Sequence, residues 1–297
     1  MQSTGGSWRK LYPFASQYME LEGGVRMHYV DEGSSGPQEK CIIAVHGNPT
    51  WSFYYRSIIA AMRPTHRALA IDHIGCGLSD KPQKYPYCLA THTANLVRWI
   101  ESLDLRNIVM VVHDWGGAIG LGAAVECRDR IAGLVVLNTG AFPPPYVPLR
   151  IAACRIPILG SWGMKQLNLF ARAATTMAID RLPRLDDDVR NGLLAPYDSP
   201  EHRVGIDTFV RDIPLSKSHP TYSTLAKLES RLPELSGLPI HLVWGMKDWC
   251  FTPRCLTRFQ AAWPDAVTQE LSDVGHYVME ESPQDVIAHV RQLVTAG

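Results

Sequence analysis

The stretch that decides the reading of this chain is Val111-Val112-His113-Asp114-Trp115-Gly116-Gly117. An apolar run ends in a carboxylate and passes at once into small residues, the pattern of a strand that turns sharply into a helix with a reactive side chain at the bend. The usual residue at such a bend is Ser, and here it is Asp114. A carboxylate is already ionised at neutral pH, so it can attack an electrophilic sp3 carbon without a base to deprotonate it first. The expected chemistry is displacement at carbon rather than ester hydrolysis by a serine.

On either side of this bend, apolar runs alternate with amphipathic stretches. The runs are Arg26 to Val30, Cys41 to Val45, Ala68 to Ile71, Ile108 to Val112, Leu134 to Leu137 and Ile240 to Trp244, with a more polar one at Val267 to Leu271. Helical patterns occupy Ala90 to Leu103, Ala118 to Asp129 and Gln284 to Val294. Such alternation predicts an α/β chain with a mostly parallel sheet flanked by helices. Met19 to Glu22 and Arg26 to Val30, separated by Gly23-Gly24, read as an antiparallel hairpin at the sheet edge. The alternation lapses between Ala141 and Pro220, where Pro143 to Pro145 precede helical patterns at Ile158 to Ala178 and Asp186 to Leu194. The expected organisation is a core of residues 1–140 and 221–297 with an inserted helical cap at 141–220.

Composition narrows the partners. The chain has 297 residues, 46% of them hydrophobic, enough to bury one large core and an insertion. Basic and acidic residues balance at 29 each and no basic run stands out, which disfavours nucleic acid and an anionic membrane as partners. The opening Met1 to Phe14 lacks the apolar core of a signal peptide and no run reaches spanning length, so neither export nor a membrane span is expected and the location reads as cytoplasmic. The seven cysteines are scattered without a C-x-x-C pair and read as buried free thiols. The sequence leaves a homo-oligomer open.

Ligands of open α/β sheets bind beyond the carboxyl ends of the strands. Those ends carry His46-Gly47-Asn48-Pro49-Thr50, the Asp114 bend, Gly245-Met246-Lys247-Asp248, and Gly275-His276-Tyr277 after the last run. The chain order nucleophile Asp114, acid Asp248, base His276 is the order expected of a triad on such a sheet. Asp273 and Glu280 are the other acids close to His276 in sequence. In the expected chemistry Asp114 displaces a leaving group and forms an ester, and His276 then activates water while Asp248 holds its ring. Backbone N–H groups of Asn48 and Trp115 are placed for the oxyanion of the second step. His46 and His113 read as structural, and dispersed ligands predict neither metal nor cofactor.

The segments His46 to Trp51, Asp72-His73-Ile74-Gly75-Cys76-Gly77-Leu78-Ser79-Asp80-Lys81-Pro82 and His113 to Gly117, with Gly245 to Asp248 and Gly275-His276, resemble the haloalkane dehalogenase family of the α/β-hydrolase superfamily. The likeness covers nearly the whole core. It implies an α/β-hydrolase fold with an eight-stranded sheet, and Trp115 and Asn48 as the neutral N–H donors to a departing halide. Asn138 to Phe142, where some relatives carry the acid, holds no carboxylate, which leaves Asp248. An Asp-His-Asp triad with an Asn-Trp pair resembles the third dehalogenase subfamily. Tyr54-Tyr55-Arg56, His73 to Cys76, Pro148 to Ala152 and Cys154 to Pro157 look especially like the β-lactone decarboxylases of olefin biosynthesis.

The expected activity is hydrolysis of haloalkanes to alcohol and halide, with decarboxylation of long-chain β-lactones as the alternative. Phe142, Trp162, Leu167, Phe170 and Met177 are the candidate lining of an apolar pocket, which predicts a hydrophobic small molecule as substrate. An epoxide hydrolase would need cap tyrosines as acids, for which Tyr146, Tyr197 and Tyr222 are available. A fluoroacetate-type enzyme is disfavoured because His73 to Gly77 contains no Arg. A purely ligand-binding protein has no need of nucleophile, base and acid together.

Overall fold

The computed structural model describes residues 6–34, 36 and 39–296. Residues 1–5, part of the opening stretch read for a signal peptide, lie outside them. Eight strands form one sheet: β1 (Ser16–Glu20), β2 (Arg26–Glu32), β3 (Cys41–Val45), β4 (Ala68–Ile71), β5 (Ile108–Asp114), β6 (Ile131–Thr139), β7 (Ile240–Gly245) and β8 (Val267–Leu271). Their spatial order is β1-β2-β4-β3-β5-β6-β7-β8. β2 runs antiparallel to both β1 and β4, and all other pairs are parallel. This is the mostly parallel eight-stranded sheet of the α/β-hydrolase fold.

The central strands are apolar throughout because both faces of the sheet are covered. Ile43, Val45, Met110 and Val112 enter one buried cluster with Leu96, Trp99 and Ile119. Their neighbours Ile42, Ala44, Val109 and Val111 enter the other, with Ile58, Ile287 and Val290. The helices in chain order are α1 (Arg56–Met62), α2 (Leu89–Ser102), α3 (Trp115–Glu126), α4 (Leu149–Ala153), α5 (Leu159–Leu167), α6 (Leu169–Met177), α7 (Asp187–Leu194), α8 (Val204–Asp212), α9 (Pro220–Arg231), α10 (Pro253–Ala262), α11 (Val278–Glu281) and α12 (Pro283–Thr295). Helices α4 to α8 fall within residues 141–220, between the end of β6 and α9, and α9 packs on α2 and α3.

Three local expectations shift. The first strand lies at Ser16–Glu20 rather than from Met19, because Glu22–Gly24 forms a separate turn with Gly23 at φ 78° and Gly24 at φ 74°. The helix after the bend starts at Trp115 rather than Ala118, directly from the strand. The pattern read over Ile158 to Ala178 divides at Asn168, whose φ of 54° ends α5 and begins α6.

Candidate active site

Asp114 is the last residue of β5 and the one before α3, with φ 53° and ψ −133°. A non-glycine residue in that region is strained, and its surroundings must hold it there. They do so by close approach. A Cβ at Gly116 would run into the carbonyls of Val45 and His46, and one at Gly117 into the side chain of Thr139. The Thr139 hydroxyl donates to the Asp114 carbonyl. Gly47 completes the fit, because a Cβ there would occupy the space of the Asp114 carboxylate.

The Asn48 backbone N–H donates to Asp114 Oδ1 at 2.6 Å, and the backbone N–H of Trp115 also favours the charged carboxylate. Asp114 Oδ2 stands 3.6 Å from His276 Nε2, too long for a hydrogen bond, so the ring does not tie up that oxygen. His276 Nδ1 meets Asp248 Oδ2 at 2.7 Å. A carboxylate only accepts, so Nδ1 carries the proton and Nε2 of the neutral ring keeps its lone pair toward Asp114. Asp248 is fixed in turn: its Oδ1 accepts from the N–H of Cys250 at 2.7 Å and of Phe251 at 3.1 Å. The structure thus brings Asp114, His276 and Asp248 into one line.

Charge follows from burial and neighbours. Burial pushes the Asp114 carboxyl above the usual range, against the opposing pull of His276 and of the Asn48 and Trp115 N–H groups. Burial pulls His276 down, but the Asp248 charge and hydrogen bond, with the Asp114 charge added, outweigh it and leave its pKa raised. The two other acids close to His276 are committed elsewhere. Asp273 pairs with Arg181 at 2.7 Å and Glu280 with Arg56 at 2.6 Å.

Sequence reasoning missed the groups that hold this line together. Glu281 accepts from the N–H of Gly275 at 2.6 Å with one oxygen and from those of Asp180 and Leu182 with the other, which pins the base loop to the segment after α6. Asn138 bonds Gly245 reciprocally, its amide donating to the carbonyl at 2.9 Å and its oxygen accepting from the N–H at 2.7 Å. That ties the ends of β6 and β7 where Asp248 departs. Asn138 sat in the segment already noted for lacking an acid; Glu281 carried no local signal.

The carboxylate lies at the floor of a cleft lined by Asn48, Trp115, Phe142, Phe170, Ile151 and Phe251 among others, with about 870 Å³ of empty space counting its mouth. Asn48 Nδ2 points to the Ile206 carbonyl at 3.3 Å while its Oδ1 has no partner among the described residues. The Asn48 amide carries two N–H groups, of which one is given to α8 and the other is not. Of the five residues read as pocket lining, Phe142 and Phe170 line the cleft. Trp162 and Leu167 do not: they are 53% and 45% exposed, because α5 buries Gly163 and Met164 instead. Met177 does not line it either; its carbonyl accepts the indole N–H of Trp249 at 2.7 Å. Of the three tyrosines, only Tyr146 lines the cleft, and Tyr197 is buried with its hydroxyl on the Thr50 carbonyl.

Among the described residues, no group of three or more His, Cys, Asp or Glu side chains is placed to hold a metal ion, and no helix is long and apolar enough to cross a membrane.

The family model described as alpha/beta hydrolase fold matches residues 40–283. A cis-3-alkyl-4-alkyloxetan-2-one decarboxylase of Shewanella oneidensis is 37% identical over 291 residues, covering 96% of this chain and 90% of its own. Haloalkane dehalogenase 2 of Mycobacterium tuberculosis is 32% identical over 289 residues, covering 95% of both chains. The crystal structure of the haloalkane dehalogenase DatA from Agrobacterium tumefaciens superposes with a TM-score of 0.81 at 26% identity, covering 95% of this chain and 97% of that one.

Proposed function

The chain belongs to the alpha/beta hydrolase fold family and is an enzyme, and from that premise we propose that Asp114 is its nucleophile, His276 its base and Asp248 the acid that orients the base. The observation that carries this reading is the Asp114 carboxylate at the floor of an apolar cleft, one oxygen held by backbone N–H and the other facing His276. The substrate we assign is a cis-3-alkyl-4-alkyl β-lactone. The likeness to the oxetanone decarboxylases, at 37% against 32% for the dehalogenases, favours it, and an apolar cleft suits alkyl chains.

The electron count closes without water. Asp114 attacks the ring carbon that bears the lactone oxygen; that C–O bond breaks, the oxygen leaves as a carboxylate, and an ester to Asp114 forms. Then the bond from the neighbouring carbon to the carboxylate breaks. Its electron pair forms the alkene, the ester C–O bond breaks, carbon dioxide departs and the Asp114 carboxylate is restored. Inversion in the first step followed by anti elimination in the second turns a cis lactone into a cis alkene.

The second reading, hydrolysis of haloalkanes, is favoured by the position of His276. After halide is displaced, His276 Nε2 takes a proton from water as the oxygen attacks the ester carbonyl. Asp114 Oδ1 carries the developing charge against the Asn48 and Trp115 N–H groups. His276 returns the proton to the departing alkoxide. Esterification also removes the Asp114 charge that helps raise the His276 pKa, so more of the ring is neutral and able to take a proton when water attacks.

A 1-bromoalkane and a cis-β-lactone of comparable chain length, given in parallel to the purified protein, test the assignment. Alkene and carbon dioxide from the lactone at the higher rate support decarboxylation; bromide and alcohol with the lactone untouched overturn it in favour of dehalogenation.

A further inference from the structure

The balanced net charge conceals a local imbalance. Of the chain's 29 Asp and Glu residues none falls between Ile131 and Ile179, a stretch that carries Arg150, Arg155, Lys165 and Arg172. Among the described residues none of these four side chains is ion-paired. The Arg150 guanidinium lies 5.3 Å from the ring centroid of Trp249, and Arg155 donates to the carbonyls of Val210 and Ile213. Helix α8 packs on α5; its Asp207 is tied to Ser161 and Arg211 and its Asp212 acts on Arg155, which leaves Arg150 and Arg172 as the exposed cations of the stretch.

The same stretch concentrates exposed apolar surface. Twelve large hydrophobic side chains are exposed among the described residues, and eight of them lie between Tyr146 and Leu169. Leu149 is 87% exposed, Ile158 83% and Leu159 68%, with Ile156, Trp162 and Leu169 beside them in sequence. Clustered exposed apolar surface marks an interaction site rather than ordinary scatter. This surface adjoins the substrate cleft at Tyr146, which is exposed and also lines the cleft.

We infer that the face formed by α4, α5, the turn between them and the first turn of α6 docks on an anionic lipid surface, placing the mouth of the cleft against the membrane interface. Short helices that expose Leu, Ile and Trp beside Arg and Lys lie in that interface, the apolar side chains entering the acyl boundary and the cations meeting the headgroups. Charge complementarity selects the occupant: a purely apolar protein partner gives no use to the exposed Arg150 and Arg172 in a stretch without a single acid. The inference goes beyond the assigned reaction and does not depend on it, since it concerns where an apolar substrate is taken up.

Vesicle flotation of the full chain tests it. The probes are phosphatidylcholine vesicles with and without phosphatidylglycerol, and the variants are Arg150→Gln/Arg172→Gln and Leu149→Ser/Leu159→Ser, none of them in the catalytic line or the cleft lining. The wild type is expected to float with the anionic vesicles, much less with the neutral ones, and to be released by salt. The arginine pair variant should bind about thirtyfold more weakly, and the leucine pair variant should remain at the bottom, both with unchanged near-UV circular dichroism. Wild type that stays down with both vesicle types, or variants that float as it does, overturn the inference. So does a wild-type dimer in sedimentation velocity that the leucine variant dissolves without any vesicle binding.

Discussion

His113 Nε2 lies 2.8 Å from the backbone carbonyl of His276, and the two rings are 4.4 Å apart. A carbonyl only accepts, so His113 is the donor; burial and the His276 charge hold its pKa well below the ordinary value and keep it neutral. One side chain on the nucleophile's strand therefore fixes the backbone of the base. His113→Leu strands a buried carbonyl and should lower stability by about 1–3 kcal/mol in chemical denaturation. It should also lower kcat with little change in KM. His113→Gln, whose amide can donate, should recover part of kcat; a Gln variant no better than Leu would mean the hydrogen bond is unimportant.

Asp248→Asn separates the two proposed reactions. The His276 ring loses its acceptor and the charge that raises its pKa, so ester hydrolysis should fall by about four powers of ten. Elimination from a lactone adduct needs no base and should fall far less. Product rates on a bromoalkane and a β-lactone with one variant preparation check this; equal losses on both would contradict the base-free elimination.

His276→Gln should allow the ester to form with a bromoalkane and stop its hydrolysis. Intact-protein mass spectrometry should then show one alkyl adduct, located on Asp114 by peptide mapping. Failure to find any adduct with a substrate that the wild type turns over would contradict the two-step scheme.

The His276 shift also predicts a pH dependence of stability. Its folded pKa is raised above the ordinary imidazole value, so the native state binds its proton more tightly than the unfolded chain. The resulting stabilisation is complete below the unfolded value and is lost as pH rises through the folded one. The thermal midpoint of the wild type relative to His276→Gln should therefore be highest at acidic pH and decline with alkalinity. A difference that grows with pH would refute the sign of the shift.

Gly47→Ala should abolish turnover on either substrate, because the new methyl claims the space of the Asp114 carboxylate. A Gly47→Ala protein with normal activity would show that the carboxylate sits elsewhere during turnover.

Much of this architecture was legible locally. The apolar runs at Cys41–Val45 and Ala68–Ile71 coincide with β3 and β4, because a strand covered on both faces is apolar end to end. The bend at Asp114 could be read because its geometry demands small residues beside it, and Gly116 and Gly117 are adjacent in the chain. Periodicity failed where it had to choose a partner for an apolar face. Trp162 and Phe170 both sit in helical patterns of the cap segment, yet one faces outward and the other lines the cleft.

The sequence by itself determined the alternating sheet, the order of Asp114, Asp248 and His276, and the absence of a serine at the bend, since each of these is written in residue type and local spacing. Only the tertiary structure decided which acid meets His276, that Glu281, Asn138 and His113 hold the three loops in register, and that the Asn48 amide is shared with α8. Those contacts join residues far apart in the chain, and a hydrogen bond acts over about 3 Å of space, a distance that sequence separation does not encode.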